Sequence, residues 1–440
     1  MKMTIGEFRE KYCKFCGSQR CPADEEAIAL CGYSIYTKSR KENENMNFRR
    51  MVMLYSDSYK QCHPKMYPDN QEYLVSYLTP RKAMNENFPK MVVYGVQPFI
   101  FDMMDAFDGF FATPLEWAMY DYDKYIGTHL GLDNVARDRI IELHELGYLP
   151  LEIRALPEGT VVNMGIPIVE MRNTHPRFAW LVQWVECLLQ TEVWPMCAYA
   201  TVGWEYHKVA EKYYNMTAPG ADPFMAMADF GFRGMSCMED ATRCSASWLL
   251  SFNKTSTIPA LPYLDDYYNA DCAKNKIGIG AVSTEHSVMA ANYAIDGDEI
   301  SFVKRMLTEI YENLAQLGYA ATKVVFGVGA FCFHALFSPD NKFTVLTRDT
   351  WGMAMKATYG VFGGLEVPIF KDPKTDNGLK KSQKGCCRVW YNAQEDIYTC
   401  TDGYSEWVED DNTQLIPVYK DGESINEQEF LNIRARLYGG

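Results

Sequence analysis

The chain has 440 residues and a formal net charge of −14, with 48% hydrophobic and 23% charged residues. That length fits two domains or one large one, and the composition is ordinary for a globular chain able to bury a core. The acidic balance excludes a nucleic-acid or anionic-membrane surface as the main partner, leaving room for a local basic pocket around an anionic ligand.

Residues 1–46 stand apart. They carry Cys13, Cys16, Cys21 and Cys31, spaced C-x2-C-x4-C-x9-C, followed by a polar run over 37–47. The spacing fits either a structural zinc knuckle or free thiols in an N-terminal extension. The opening MKMTIGEFREKYCK lacks the apolar core of a secretory signal. The 14 cysteines of the chain are therefore expected as reduced thiols in a cytoplasm. The stretch MLYSDSYKQCHPKMYP, 53–68, reads by itself as a polar turn or helix cap. The aromatic stretch 93–120 is interrupted by Asp102, Asp105, Asp108 and Glu116, which excludes a membrane span.

From Arg50 onward the pattern is mixed α and β. LEIRA, 151–155, alternates as a half-buried strand does. Pro157-Glu158-Gly159 is a turn, and the strand resumes over 160–163. Phe178, Leu181, Val182, Val185, Leu188 and Leu189 make one helical stripe. Phe302, Val303, Met306, Leu307, Ile310, Leu314 and Leu317 make another, ended by Gly318. The apolar run 323–326 opens onto Gly327-Val328-Gly329, a strand leading into a glycine loop of the kind that holds phosphate. Residues 387–440 are rich in Tyr, Thr, Val, Asp and Gly, which predicts short antiparallel strands.

Three clusters carry chemistry. ADFGFRGMSCMEDA, 228–241, sets Phe230 and Arg233 just before a helix. Phe230 can stack on a planar ring, and Arg233 can grip a phosphate or carboxylate with two parallel hydrogen bonds. The plainer reading is a core aromatic and a surface cation. A protein-kinase reading of the DFG fails, because no HRD loop or VAIK strand accompanies it. In TEHSV, 284–288, His286 lies between Glu285 and Ser287. It is either a structural hydrogen-bonding residue or an oriented nucleophile or acid/base. Arg348, Lys356, Lys371, Lys380, Lys381 and Lys384 form a basic stretch inside an acidic chain. That stretch is either a solvated face or a clamp for diphosphate.

Taken together, DSYK-x-x-H, DFGFRG, TEHS, TRDTWGMAMKATY and PIFKDPKTDNGLKKSQKG resemble the nicotinamide and nicotinate phosphoribosyltransferases over about residues 50–440. The resemblance implies a type II phosphoribosyltransferase-like α/β fold. Its β-rich domain would come from both chain ends, 47–185 and 385–440. A β/α barrel-like catalytic domain would span 186–384. It implies transfer from 5-phosphoribosyl diphosphate to nicotinamide in NAD salvage, with nicotinate as the alternative acceptor. A homodimer is implied too, with active sites at the subunit interface, together with Mg²⁺ and ATP. By the same resemblance Asp57, Tyr59, Phe230 and Ser256 contact the pyridine, with Lys60 and His63 close by. Arg81, Gly327, Gly329, Arg348, Lys356, Lys371 and Lys380 bind phosphate or diphosphate. His286 takes a phosphate from ATP, and Glu285 and Arg233 stand beside it in the catalytic set.

Two departures matter. Where nicotinamide-using members tend to carry G-T-D, this chain has FNKTSTIPA over 252–260, with Ser256 in place of the aspartate. A carboxylate there would repel nicotinate and a serine would not. Second, the SDS/T strand end, the RPDSG loop and the GD strand end expected after His286 do not occur. At about 30 residues per strand-helix unit, roughly 90 residues are missing, with the join near 311–312. The central barrel is thus expected to be incomplete, since a barrel lacking three staves cannot close with its usual tilt. The chain is then either a working enzyme, with carboxylates such as Asp240 recruited in compensation, or an impaired one that only binds nucleotide.

Overall fold

The computed structural model describes residues 52–81, 83, 89–131, 136–280, 286–298, 300–302, 304–305, 386–404 and 413–439. The expected zinc-knuckle cysteines, the glycine loop, the basic stretch and the 311–312 join all lie outside them.

The first described turns are short 3-10 segments, Val52–Leu54, Ser58–Gln61 and His63–Lys65. Then come β1 (Val75–Leu78), β2 (Lys90–Val92), α1 (Val96–Ala112), α2 (Leu115–Leu130) and α3 (Arg137–Leu146). β3 (Leu151–Ala155), β4 (Val161–Asn163) and β5 (Val169–Asn173) lead into α4 (Ala179–Thr217). Next are β6 (Ala228–Asp229), α5 (Met238–Trp248), β7 (Lys254–Thr255), α6 (Ala260–Tyr268), α7 (Cys272–Asn275) and α8 (His286–Asp296). The C-terminal part holds β8 (Cys386–Asn392), β9 (Ile397–Tyr404), β10 (Ile416–Lys420), β11 (Glu423–Ser424) and α9 (Phe430–Tyr438).

The largest sheet is antiparallel, in the order β1-β5-β3-β10-β11, so the two chain ends share it. The alternation seen in 151–155 is the strand β3, with Leu151 and Ile153 fully buried. β4 does not form a hairpin with β3. The turn at Gly159 sends the chain away to pair with β2 instead. Gly159 has φ +84°, and a Cβ there would meet the Ile433 carbonyl oxygen at 2.3 Å, so no side chain fits. The C-terminal segment departs from the all-strand expectation. α9 buries Phe430, Ile433 and Leu437, the i, i+3, i+7 spacing of a helix face.

The apolar stripe Phe178, Leu181, Val182, Val185, Leu188 and Leu189, all buried, starts at the cap residue of α4 and continues along it. The helix runs on past position 185–186, where a domain division was expected. Its N-terminal half packs in the core with α1 and the antiparallel sheet. Its C-terminal half, through Met196 and Ala200, joins a second core with α5, α6 and α9. Among the described residues, no helix is long and apolar enough to cross a membrane.

Buried carboxylates in the sheet have opposite electrostatics. Glu152 is desolvated, yet its hydrogen bonds from Arg172 and Arg154 hold its carboxyl below the usual range. Glu170 has less compensation, and burial pushes it up to about 7, although Tyr77, Arg154 and Arg172 pull the other way. A carboxyl raised in the folded state favours folding below its unfolded value, near 4.5, and that advantage is lost as pH rises through about 7. The shift corresponds to on the order of 3 kcal/mol. Thermal unfolding from pH 4.5 to 8 is expected to show a decline in stability for the natural chain that Glu170→Gln largely flattens. Parallel profiles for the two proteins would refute this assignment.

Candidate active site at the parallel strand ends

β6 and β7 are the only parallel pair among the described strands, with Ala228 opposite Lys254 and Asp229 opposite Thr255. A parallel bridge from Lys254 to Ile279 adds a third rung. With α5 and α6 following β6 and β7, this is a pair of parallel strand-helix units, and no closed barrel is formed among the described residues. Sites in such folds lie at the carboxyl ends of the strands. Phe230 and Ser256 occupy those ends side by side, and the Ser256 N–H donates to the Asp229 carbonyl at 2.8 Å. Phe230 is half-buried and Ser256 exposed.

What holds these ends together is the Asp229 carboxylate, which is 1% exposed. It accepts from the Gly231 N–H at 2.6 Å, from Thr255 Oγ1 at 3.0 Å and from Thr257 Oγ1 at 2.7 Å. Thr255 Oγ1 also meets Ser245 Oγ of α5 at 2.8 Å. Asp229 and Thr255 therefore face the helix layer, and the strand alternation turns Ala228, Phe230, Lys254 and Ser256 to the other face. The sequence reading singled out Phe230 and Ser256 and missed Asp229. The signal was present, as one carboxylate in DFG and two hydroxyls in TST at matching strand ends.

Arg233 is exposed in the 3-10 turn Phe232–Gly234 between β6 and α5, on the same loop as Phe230. Asp240 is engaged within its own helix start. It accepts from Tyr199 Oη at 2.6 Å and from Ser236 Oγ at 2.7 Å. A carboxylate so placed in the first turn of α5 is favoured by the helix dipole. Both carboxylates near the strand ends are thus held by internal donors. Among the described residues no group of three or more His, Cys, Asp or Glu is arranged to hold a metal.

Asp57 and Tyr59 form a second, exposed group. Tyr59 is 56% exposed, and its hydroxyl donates to Asp57 Oδ2 at 3.3 Å. Burial and the Asp57 charge raise its phenol pKa. The turn is pinned to α4 by Lys60, which is buried and donates to Gln183 Oε1 at 2.9 Å, with Glu186 at 3.8 Å. The His63 ring lies 5.3 Å from that of Tyr59. Burial, then the nearby Lys60 charge, keeps the His63 imidazole below its ordinary pKa. Among the described residues no hydrogen bond or ring contact joins Asp57 or Tyr59 to Phe230 or Ser256. Arg81 is half-buried in the loop after β1. His286 is the first residue of α8. Its side chain, Glu285, Gly327, Gly329, Arg348, Lys356, Lys371 and Lys380 lie outside the described residues.

Residues 51–153 match the family model for the nicotinamide phosphoribosyltransferase N-terminal domain. Residues 282–405 match that of the nicotinate phosphoribosyltransferase (NAPRTase) family. The chain belongs to the nicotinamide and nicotinate phosphoribosyltransferase family. The nicotinamide phosphoribosyltransferase of Acinetobacter baylyi is 26% identical over 512 aligned positions, covering 89% of this chain and 98% of the relative. That of Xanthomonas campestris is 23% identical over 484, covering 89% and 98%. An alignment of 512 positions is longer than the chain itself, so more than a hundred positions of the first relative face no residue here. This agrees with the shortfall expected from the missing strand-end motifs. Among solved structures, the nicotinate-nucleotide pyrophosphorylase of Pyrococcus furiosus is similar at a TM-score of 0.45 and 13% identity, covering 96% of this chain and 97% of that one.

Proposed function

We propose that this pentosyltransferase moves the 5-phosphoribosyl group from 5-phosphoribosyl diphosphate to the ring nitrogen of nicotinamide, releasing diphosphate in NAD salvage. The observation that carries the reading is the strand end formed by Phe230 and Ser256, beside the Arg233 loop, in a family member. In the reaction the pyridine nitrogen lone pair forms the new bond to C1 of the ribose. The C1–oxygen bond breaks, and its electron pair leaves with the diphosphate. Positive charge develops on the sugar and negative charge on the leaving group, so positioned cations and a fixed ring supply the catalysis. No proton needs to move at the pyridine nitrogen.

In this reading Phe230 stacks on the pyridine, and Arg233 neutralises phosphate together with Arg81, Arg348, Lys356, Lys371 and Lys380. The glycines Gly327 and Gly329 let the backbone approach the phosphate. Asp57 and Tyr59 complete the pyridine site of a partner subunit in a homodimer, which accords with their exposure. Mg²⁺ would join the arginine and lysine cations in neutralising the leaving diphosphate. ATP supplies a phosphoryl group for His286, with Glu285 adjacent. The setting is cytoplasmic.

Incubating the purified protein with 5-phosphoribosyl diphosphate, Mg²⁺ and ATP, with nicotinamide or nicotinate in separate reactions, tests the reading by mass detection of the mononucleotide. Nicotinamide mononucleotide is the expected product. A folded protein that yields neither mononucleotide favours the impaired alternative, which the missing positions support.

A further inference from the structure

We propose that Asp240 is a positioning residue that, tied to Tyr199 of α4, fixes the loop bearing Arg233 so that its guanidinium meets the phosphate of 5-phosphoribosyl diphosphate. The inference rests on Arg233 contacting phosphate, as proposed above, and Asp240 itself touches no substrate. Arg233 lies in the loop between β6 and α5, where Phe232 is 43% and Met238 68% exposed. Packing therefore holds this loop weakly, and its place has to come from hydrogen bonds. Its start is fixed where the Gly231 N–H donates to Asp229, and the Gly234 N–H donates to the Gly231 carbonyl at 2.8 Å. Its far end is fixed by Asp240, whose Oδ2 accepts from Ser236 Oγ at 2.7 Å and from the Ser236 N–H at 3.3 Å. Arg233 sits between these two anchors.

The link to Tyr199 goes beyond what a helix start requires. A serine and an aspartate around the first turn are enough to begin a helix. Here the other carboxylate oxygen, Oδ1, accepts from Tyr199 Oη at 2.6 Å, across |i−j| = 41. Tyr199 is 2% exposed, midway along α4, the helix that enters both cores. A phenylalanine ring would fill the same space, so what the hydroxyl adds is the tie to the loop. Burial, and after it the neighbouring Cys244 and Asp240, raise the Tyr199 phenol pKa, so the group stays a donor. With both oxygens engaged, Asp240 joins a core helix to the end of the loop through charge-assisted bonds, the strong kind. Arginine grips a phosphate through two parallel N–H bonds of fixed geometry. A small displacement of the loop therefore costs the grip even while the charge stays nearby.

The test is steady-state kinetics on the natural chain, Tyr199→Phe, Asp240→Asn, Asp240→Ala, Arg233→Ala and the double variant Asp240→Ala/Arg233→Ala, with circular dichroism confirming that each is folded. Loss of one charge-assisted bond predicts a rise of about tenfold in KM for 5-phosphoribosyl diphosphate in Tyr199→Phe. The KM for the pyridine should change less than about threefold, because Phe230 stays anchored through Asp229. Asp240→Asn, which keeps one acceptor oxygen, is expected between the natural chain and Asp240→Ala. Once Arg233 is alanine, removing Asp240 should add little, because both changes disable the same contact. A merely structural role would leave both KM values of the folded protein in place, or would make the Asp240 and Arg233 effects additive, and either result overturns the proposal. If the natural chain forms no mononucleotide, the transferase reading fails separately. Calorimetric titration with 5-phosphoribosyl diphosphate then decides the role of Asp240. Binding that weakens in Tyr199→Phe and Asp240→Ala supports it, and binding that is unchanged, or absent from the natural chain, overturns it.

Discussion

Asp229→Ala is expected to lower kcat/KM by about a hundredfold or more, the largest effect of any single change at the strand ends, because misplacing a reacting partner by about 1 Å is enough to cost that much. The carboxylate touches no substrate in this reading and acts by position. Removing it strands the Thr257 hydroxyl and the Gly231 N–H inside the protein, while the Thr255 hydroxyl keeps Ser245. Each orphaned group costs about 1–3 kcal/mol. The turn from Asp229 into Gly231 loses its anchor, and with it the orientation of Phe230 and of the loop bearing Arg233. Asp229→Asn keeps one acceptor oxygen and is expected to fall between the natural chain and Asp229→Ala. A purely structural role would lower the yield of folded protein and leave the folded fraction fully active. The positioning role lowers kcat of the folded fraction and raises KM for both pyridine and 5-phosphoribosyl diphosphate. Steady-state kinetics on protein matched by active folded fraction decide between them, and full activity in Asp229→Ala would end the positioning argument.

The features that were legible in the sequence are those governed by local period and short motifs. The strand at 151–155 and the helical stripe beginning at Phe178 were both legible from side-chain period, although the strand is buried on both faces, Glu152 included, rather than half-buried. The pairing of Phe230 and Ser256 was reachable only through the family resemblance, since 24 or more residues separate the two strands and their register is tertiary. Asp229 was missed for a related reason. Its partners Thr255 and Thr257 lie |i−j| = 26 and 28 away, and a buried carboxylate bound by hydroxyls has no period to betray it. The strand after Gly159 was legible as a strand, while its partner was not. A three-residue strand pairs wherever the turn delivers it, and this turn delivers it to β2. The helix at 430–438 was obscured by the strand-like composition preceding it, although Phe430, Ile433 and Leu437 carried its spacing.

Glu158→Ala is expected to destabilise the fold by about 3–5 kcal/mol, because it strands two buried N–H groups and a buried hydroxyl at roughly 1–3 kcal/mol each. Glu158 is fully buried at the junction of the two cores. Its carboxylate accepts from the N–H groups of Gly95 and Gln97 at 3.2 and 2.7 Å, so it caps the start of α1. It also accepts from Tyr268 Oη of α6 at 2.7 Å, and the Tyr268 ring stacks on Tyr94 with centroids 5.1 Å apart. Its backbone carbonyl accepts from Arg436 of α9, and its N–H donates to Gln428 Oε1 at 3.1 Å. One residue thus joins the sheet turn, the first helix, the barrel-side helix α6 and the C-terminal helix. The start of α1 needs an acceptor, because its first N–H groups have no partners within the helix. The cap residue, Gly95, has φ +91° and no side chain to offer. Nor can another residue take its place, since a Cβ there would approach Met196 to 2.6 Å. Glu158→Gln retains one oxygen acceptor while presenting an amide to donors, so it should lose roughly half as much. Chemical denaturation of the natural chain and both variants measures the effect. If Glu158→Ala costs under about 1 kcal/mol, the scale of a single neutral hydrogen bond, Glu158 does not couple the two cores. In that case the helix start must be satisfied by solvent.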